Sequence, residues 1–259
     1  MTPHELPPSP PPPPPKIGVV DPAKKIIPFE NAGNYPKALE EAKLLKIPNE
    51  KSKWTEKILR DWSLSEIIKA QSMYKTGHLA DASILVNQAL ERQPDLIKRP
   101  VPELTPELWT NFLLYKVNDN QEFWVLHSVG ENGLLTPPDQ KDMAFRAYLH
   151  LSERRALEKK FHAALVDIKR ALKIHPTDPS ALAVMKSLQD LQKSWTDKGY
   201  REFTRQHLHR ALFFWQKVVD LDPGDQDVKK NILKTKDLLK KLELIEQESG
   251  PSAGSGVTR

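Results

Sequence analysis

The chain has no cysteine among its 259 residues, so disulfides, thiol catalysis and thiolate metal sites are excluded. Glycine is scarce, with 10 residues, while hydrophobic and charged residues make up 39% and 28% of the chain. This balance is typical of a soluble helical protein. No apolar run approaches the roughly 18 residues that a transmembrane helix needs, and the sequence therefore predicts no membrane-spanning segment.

Catalytic and metal-binding motifs are also missing. The chain contains no glycine-rich phosphate loop, no H-E-x-x-H and no G-x-S-x-G. His207 and His209 are two apart on a predicted helix and would point in different directions. The aspartates of residues 220–227 resemble a calcium loop, but Gly224 stands at a ligand position and the spacing to a bidentate glutamate fails. The sequence therefore predicts a protein that is not an enzyme and that uses no cofactor, metal or small-molecule substrate.

Proline, in contrast, is abundant at the N-terminus. Nine of the 23 prolines lie within the first 15 residues, and Pro10 to Pro15 are consecutive. We expect residues 1–25 to be disordered and extended, as a spacer or alternatively as a ligand for SH3-type or WW-type domains. No signal-peptide pattern is present, which predicts a cytoplasmic protein. A chain whose leader had been removed would instead be periplasmic or associated with the envelope.

Two segments, Tyr148 to Asp178 and Trp195 to Asp225, follow one template. Each has an aromatic residue at its start, a small residue four positions later, an alanine twelve further on and a proline after another twelve. A third copy upstream carries the template at Ala70, Gly77, Ala82, Ala89 and Pro94. Repetition at this length predicts stacked helix–turn–helix units, with the small residues where two helices approach closely.

This template of aromatic, small, alanine and proline positions, called the repeat grid below, resembles the tetratricopeptide (TPR) repeat. The resemblance implies an all-α fold in which helix–turn–helix repeats form a short α-solenoid. The repeats would occupy residues 63–96, 145–178 and 192–225 of a domain that spans residues 26–247, with an insert at 97–140, a capping helix at 226–247 and a disordered tail at 248–259. The alternative is an ordinary helical bundle with chance spacing of alanine and proline.

Local signals refine this outline. An extended helix is predicted after Pro179, because apolar residues recur there at three- and four-residue steps. Together with the compact repeat that follows, it looks like a pattern common in bacterial, envelope-associated TPR proteins. Thr105 and Pro106 predict a helix start, and Ser63 with Glu66 predicts a capping box. Residues 121–129 fit a strand or a helix equally well.

The resemblance to TPR proteins also implies a peptide-binding groove lined by the first helix of each repeat. The Lys-Asn pair that clamps a C-terminal carboxylate in some members is absent, so an extended peptide or a helix is the expected ligand. Packing against the adjacent helix is the alternative role for each residue. The candidate groove residues are Tyr74, Arg146, Glu153, Lys193, Tyr200 and Phe203.

Three functions therefore compete. The leading hypothesis is a non-catalytic scaffold or adaptor that binds a protein or peptide partner. The second is a basic module that associates with nucleic acid, because nine Lys and Arg residues lie between Lys141 and Lys173. The third is an enzyme with a site in residues 95–140.

Overall fold

The computed structural model describes residues 23–131 and 133–248, and this part of the chain is all-α, as predicted. It contains eleven α-helices, a 3-10 helix at Pro94–Ile97 and no strand. The predicted disordered ends lie outside the described residues, apart from residues 23–25 and 248, which belong to helices. The helices are α1 (Ala23–Asn31), α2 (Tyr35–Lys43), α3 (Pro48–Lys75), α4 (Leu79–Arg92), α5 (Pro106–Asn118), α6 (Glu122–Ser128), α7 (Pro137–Leu157), α8 (Phe161–Ile174), α9 (Pro179–Thr204), α10 (Leu208–Leu221) and α11 (Gln226–Glu248).

Three helices share one start signal, a capping side chain followed by proline. Thr105, Thr136 and Asp178 each accept a hydrogen bond from the backbone N–H three residues later, at 3.4, 3.4 and 2.9 Å. Proline fits the next position because its missing N–H would have no partner inside the helix. The predicted helix start at Thr105 is confirmed, and so is the long helix after Pro179, which runs for 26 residues as α9.

The open assignment for residues 121–129 is settled as the helix α6. The predicted capping box at Ser63 is wrong, because α3 continues unbroken from Pro48 to Lys75 and has no end there to cap. The Ser63 hydroxyl instead donates to the Ala89 carbonyl oxygen at 3.2 Å, and Glu66 forms an ion pair with Arg92. Both side chains face α4 rather than the backbone of their own helix.

The small residues of the repeat grid lie in the interior, except Gly77, which is exposed in the turn between α3 and α4. The most extensive helix–helix contacts are those of α3 with α4, α7 with α8, and α9 with α10. At the α7–α8 contact, the buried Ser152 hydroxyl donates to the Ala164 carbonyl oxygen at 2.9 Å. At the α9–α10 contact, Gly199 lies directly against the indole of Trp215. The buried grid positions are Ala70, Ala82 and Ala89 in the first copy, Ser152, Ala164 and Ala171 in the second, and Gly199, Ala211 and Val218 in the third.

Residues 97–140, predicted as an insert, contribute α5 and α6 to the largest hydrophobic cluster of the described chain. Trp109, Phe112 and Trp124 pack with ring centroids 5.4–6.2 Å apart. Lys116 is buried beside them, and burial lowers the pKa of its amine. This region is therefore part of the core and joins α3 and α4 to α7.

Among the described residues, no helix combines the length and the apolar content that crossing a bilayer requires.

Candidate peptide-binding groove

A groove of about 620 Å³ lies where α5, α7 and the start of α9 meet. Its apolar surface comes from α5 and α7, and most of its polar surface comes from α7 and from the turn that leads into α9. The lining residues are Leu114, Val117, Asn118, Asp142, Phe145, Arg146, Leu149, His150, Glu153, His175, Thr177, Asp178, Pro179 and Ser180.

One face of α7 forms the length of this groove. Asp142, Arg146, Leu149, His150 and Glu153 recur at three- and four-residue steps, which places them in one row along a helix. The row spans about 16 Å at the rise of an α-helix. It alternates acidic, basic and apolar groups, so it presents both charges and an apolar contact to a ligand.

Near Pro179, Asp142 contacts two basic side chains that line the groove. Its two carboxylate oxygens lie 3.5 Å from Arg146 Nε and 2.9 Å from His175 Nε2. The contact with His175 has ion-pair distance without the alignment of a hydrogen bond. The His175 ring also meets Phe145 edge-on, with the centroids 4.7 Å apart. These contacts fix His175, the C-cap of α8, against α7.

Beneath the other end of the groove lies the carboxylate of Glu122, with no exposed surface. Arg154 donates to its two oxygens from Nε at 3.0 Å and from Nη2 at 2.9 Å. His150 Nδ1 lies 2.8 Å from Oε1 and donates to it, because an ionised carboxylate only accepts. Burial raises the pKa of Glu122, but the hydrogen bonds from Arg154 and His150 outweigh burial and hold it below its usual range. The network binds α6 to α7 and orients His150, which lines the groove.

The network around Glu122 should make the free energy of unfolding depend on pH. A carboxyl whose pKa is lowered by folding contributes stability above its unfolded pKa of about 4.3, and this contribution is lost as pH falls through the folded pKa. We expect Glu122→Gln to be less stable than the wild type at pH 7 and the difference to shrink below about pH 4.3. Urea unfolding of both proteins across this pH range measures the difference in stability. The exposed Glu56→Gln should follow the wild type throughout, and a Glu122→Gln deficit that is constant with pH would contradict the assignment.

The six predicted groove residues do not form one site. Arg146 and Glu153 line the groove described above, while Tyr74 is half-buried against the cluster around Trp109. Lys193 is exposed on α9, 13 residues beyond Ser180, the last residue of the groove.

Tyr200 and Phe203 pack on the other side of α9, against Trp215, with centroid distances of 5.5 and 5.6 Å. The Tyr200 hydroxyl also accepts a hydrogen bond from Asn231 of α11 at 2.8 Å. These two aromatic residues therefore connect α9 to α10 and α11.

Three polar residues of the groove, Asp142, His150 and His175, were absent from the prediction. The four-residue spacing of Asp142 and His150 from Arg146 could have indicated them, because it places all three on one face of α7. No sequence signal indicates His175, which reaches the groove only because α8 packs against α7.

Within the described residues, no group of three or more His, Asp or Glu side chains is arranged to hold a metal ion. Comparisons with protein-family models, with curated proteins and with solved structures found no match. The packing of the helices and the chemistry of the groove are therefore the observations on which a function can be based.

Proposed function

We propose that this chain is a non-catalytic scaffold of the TPR type, which binds an extended peptide segment of a protein partner in the groove of α5, α7 and α9. The order of helix contacts supports a short α-solenoid. Each pair contacts the next through its second helix, as α4 meets α5, α6 meets α7, and α8 meets α9. The first helices α3, α5, α7 and α9 also contact one another in succession, which is the arrangement of a repeat stack.

In this proposal α5 and α6 fill one repeat position, although their sequence departs from the grid. Their aromatic cluster takes the place of the small residues found in the three copies. The pair α1 and α2 precedes the array, and α11 packs on α10 at its other end. The wall that α5 contributes to the groove is apolar and is formed by Leu114 and Val117.

The row of polar and apolar residues along α7 is the main observation that supports a peptide ligand. A row of about 16 Å matches about five residues of extended chain, at roughly 3.3–3.6 Å per residue. Arg146 and Glu153 are exposed charges of opposite sign, and Leu149 lies between them. We therefore infer a peptide with an apolar side chain flanked by an acidic and a basic residue.

The basic segment gives less support to nucleic-acid binding. Apart from Arg146 of the groove, four of its nine cationic side chains form ion pairs with carboxylates, which compensate part of their charge within the protein. Phosphate binding depends on uncompensated cations. These four residues are Arg154, Arg155, Lys160 and Arg170.

Site-specific photo-cross-linking tests the proposed groove. A photoreactive amino acid replaces Leu149 in the groove or, as a control, the exposed Lys169 on α8. Irradiation in a lysate of the source cells should link a defined partner at position 149 and not at position 169. Partner peptides identified in this way can then be synthesised and titrated calorimetrically.

Charge reversal completes the test. Arg146→Glu should weaken binding of the identified peptide by about tenfold or more, because it replaces an attraction by a repulsion. Lys169→Glu makes the same charge change away from the groove and should bind like the wild type. Equal affinities for the two variants, or no specific cross-link at position 149, would contradict peptide binding in this groove.

A further inference from the structure

The imidazole of His150 has one nitrogen bound within the protein and one that is free. Nδ1 lies 2.8 Å from Oε1 of Glu122, whereas Nε2 has no hydrogen-bond partner among the described residues and is accessible to solvent. The side chain is 32% exposed and lines the groove. The free nitrogen is therefore available to a molecule that binds in the groove.

Glu122 decides which of these two nitrogens carries the proton of the neutral ring. Its ionised carboxylate receives two hydrogen bonds from Arg154 and can only accept, so His150 donates from Nδ1. In the neutral imidazole, the other nitrogen then has a lone pair and acts as an acceptor. The buried carboxylate thus fixes one tautomer, which presents an acceptor at Nε2.

The place of His150 in the row along α7 indicates which part of a peptide meets it. His150 lies four residues after Arg146 and three before Glu153, or about 6 and 4.5 Å along the helix axis. The proposed peptide has its apolar residue between its two charged residues, so the backbone of the apolar residue passes closest to His150. The backbone of an extended segment offers one N–H donor at every residue except proline.

We infer that Nε2 of His150 accepts a hydrogen bond from the backbone N–H of this apolar residue, and that Glu122 is a positioning residue for His150. This hydrogen bond presupposes the proposed peptide binding and adds a requirement to it. Charge and apolar contact alone would admit any apolar residue at the centre of the peptide. The acceptor at Nε2 selects against proline there, because proline has no N–H to donate.

Nuclear magnetic resonance of the free protein tests the tautomer without a peptide. The nitrogen chemical shifts of an imidazole distinguish a protonated nitrogen from one with a lone pair, and the His150→Phe variant identifies the signals of His150. At about pH 7.5, the proton should be on Nδ1 and not on Nε2. Glu122→Gln should increase the tautomer with the proton on Nε2, because an amide can donate to Nδ1. A wild-type ring protonated on Nε2, or an unchanged tautomer in Glu122→Gln, would overturn the inference.

Peptides with one altered backbone group test the hydrogen bond itself. The probe is a library of acetylated pentapeptides with leucine at the centre, glutamate and lysine at the two ends in either order, and all amino acids at the other two positions. In the tightest-binding peptide, an ester then replaces the N–H of the leucine by oxygen. The ester should bind the wild type about three- to tenfold more weakly than the parent peptide, because one hydrogen bond is lost.

Two variants assign this loss to His150. The ester and the parent peptide should bind His150→Phe equally well, since this variant has no acceptor at that position. His175→Phe changes the other histidine of the groove in the same way and should retain the full difference between ester and parent. Failure of every library peptide to bind would contradict peptide binding in the groove as well as the hydrogen bond. Peptides that bind while the ester shows no loss, or shows the same loss with His150→Phe, would overturn only the role of His150.

Discussion

Alanine at position 199 is expected to lower the free energy of unfolding by roughly 1–3 kcal/mol, although alanine usually favours a helix interior over glycine. Gly199 is buried in α9, and an added Cβ would overlap the indole of Trp215, including atom Cε2 at 2.8 Å. The indole is rigid and fully enclosed by Phe203, Tyr200 and its other neighbours. The clash therefore forces α9 and α10 apart instead of being absorbed by a flexible side chain.

Chemical denaturation of Gly199→Ala measures this effect. The exposed Ser187→Ala makes a similar helix-favouring change about three turns away on the same helix and should be neutral or slightly stabilising. In the background of Trp215→Phe, which removes part of the ring, Gly199→Ala should cost less than it does in the wild type. A Gly199→Ala protein as stable as the wild type would show that the two helices are not packed as closely as described.

Removing the guanidinium of Arg154 should cost about 3–5 kcal/mol of stability, because it leaves a buried carboxylate without its main partner. Arg154→Met keeps most of the aliphatic stem but deletes both hydrogen bonds to Glu122. His150 is then the only side chain left to bind that carboxylate, which has no exposed surface. The loss should appear as a lower denaturation midpoint at pH 7.

The double variant Glu122→Leu with Arg154→Met distinguishes the effect of the buried charge on stability from the effect of lost packing. It should recover most of the lost stability, since an apolar pair of similar size often replaces a buried ion pair without loss. Arg146→Met removes an exposed ion pair on the same helix and should cost less than about 1 kcal/mol. Losses of equal size for the double variant and for Arg154→Met would mean that the uncompensated charge of Glu122 is not the cause.

The repeat grid could be recognised in the sequence because its small residues lie at contacts between helices. Ala82, Ala164 and Ala211 are small because a second helix passes close to each of them, and all three are fully buried. Helix α1 was not predicted, since it is nine residues long and contains Pro28. Its Ile26 nevertheless packs in a cluster with Ile58 of α3, so tertiary burial decides its conformation.

The site was less predictable than the fold. Ser63 and Glu66 have the spacing of a capping box, but the same spacing also places two side chains on one face of a continuous helix. Tyr200 and Phe203 lie at groove positions of the repeat grid, yet they contact Trp215. Which side of α9 faces the groove depends on how this helix is rotated against its neighbours, and a single sequence does not specify that rotation.

The 26 residues of α9 connect two distant parts of the molecule. Its first turn forms one end of the groove at Pro179 and Ser180, and its last turns hold Gly199 and Phe203 against Trp215. A continuous helix of this length is about 39 Å long. A tilt of only about 3° at the groove would displace the far end by about 2 Å over this length. Any tilt of α9 at the groove would therefore be transmitted to its junction with α10 and α11.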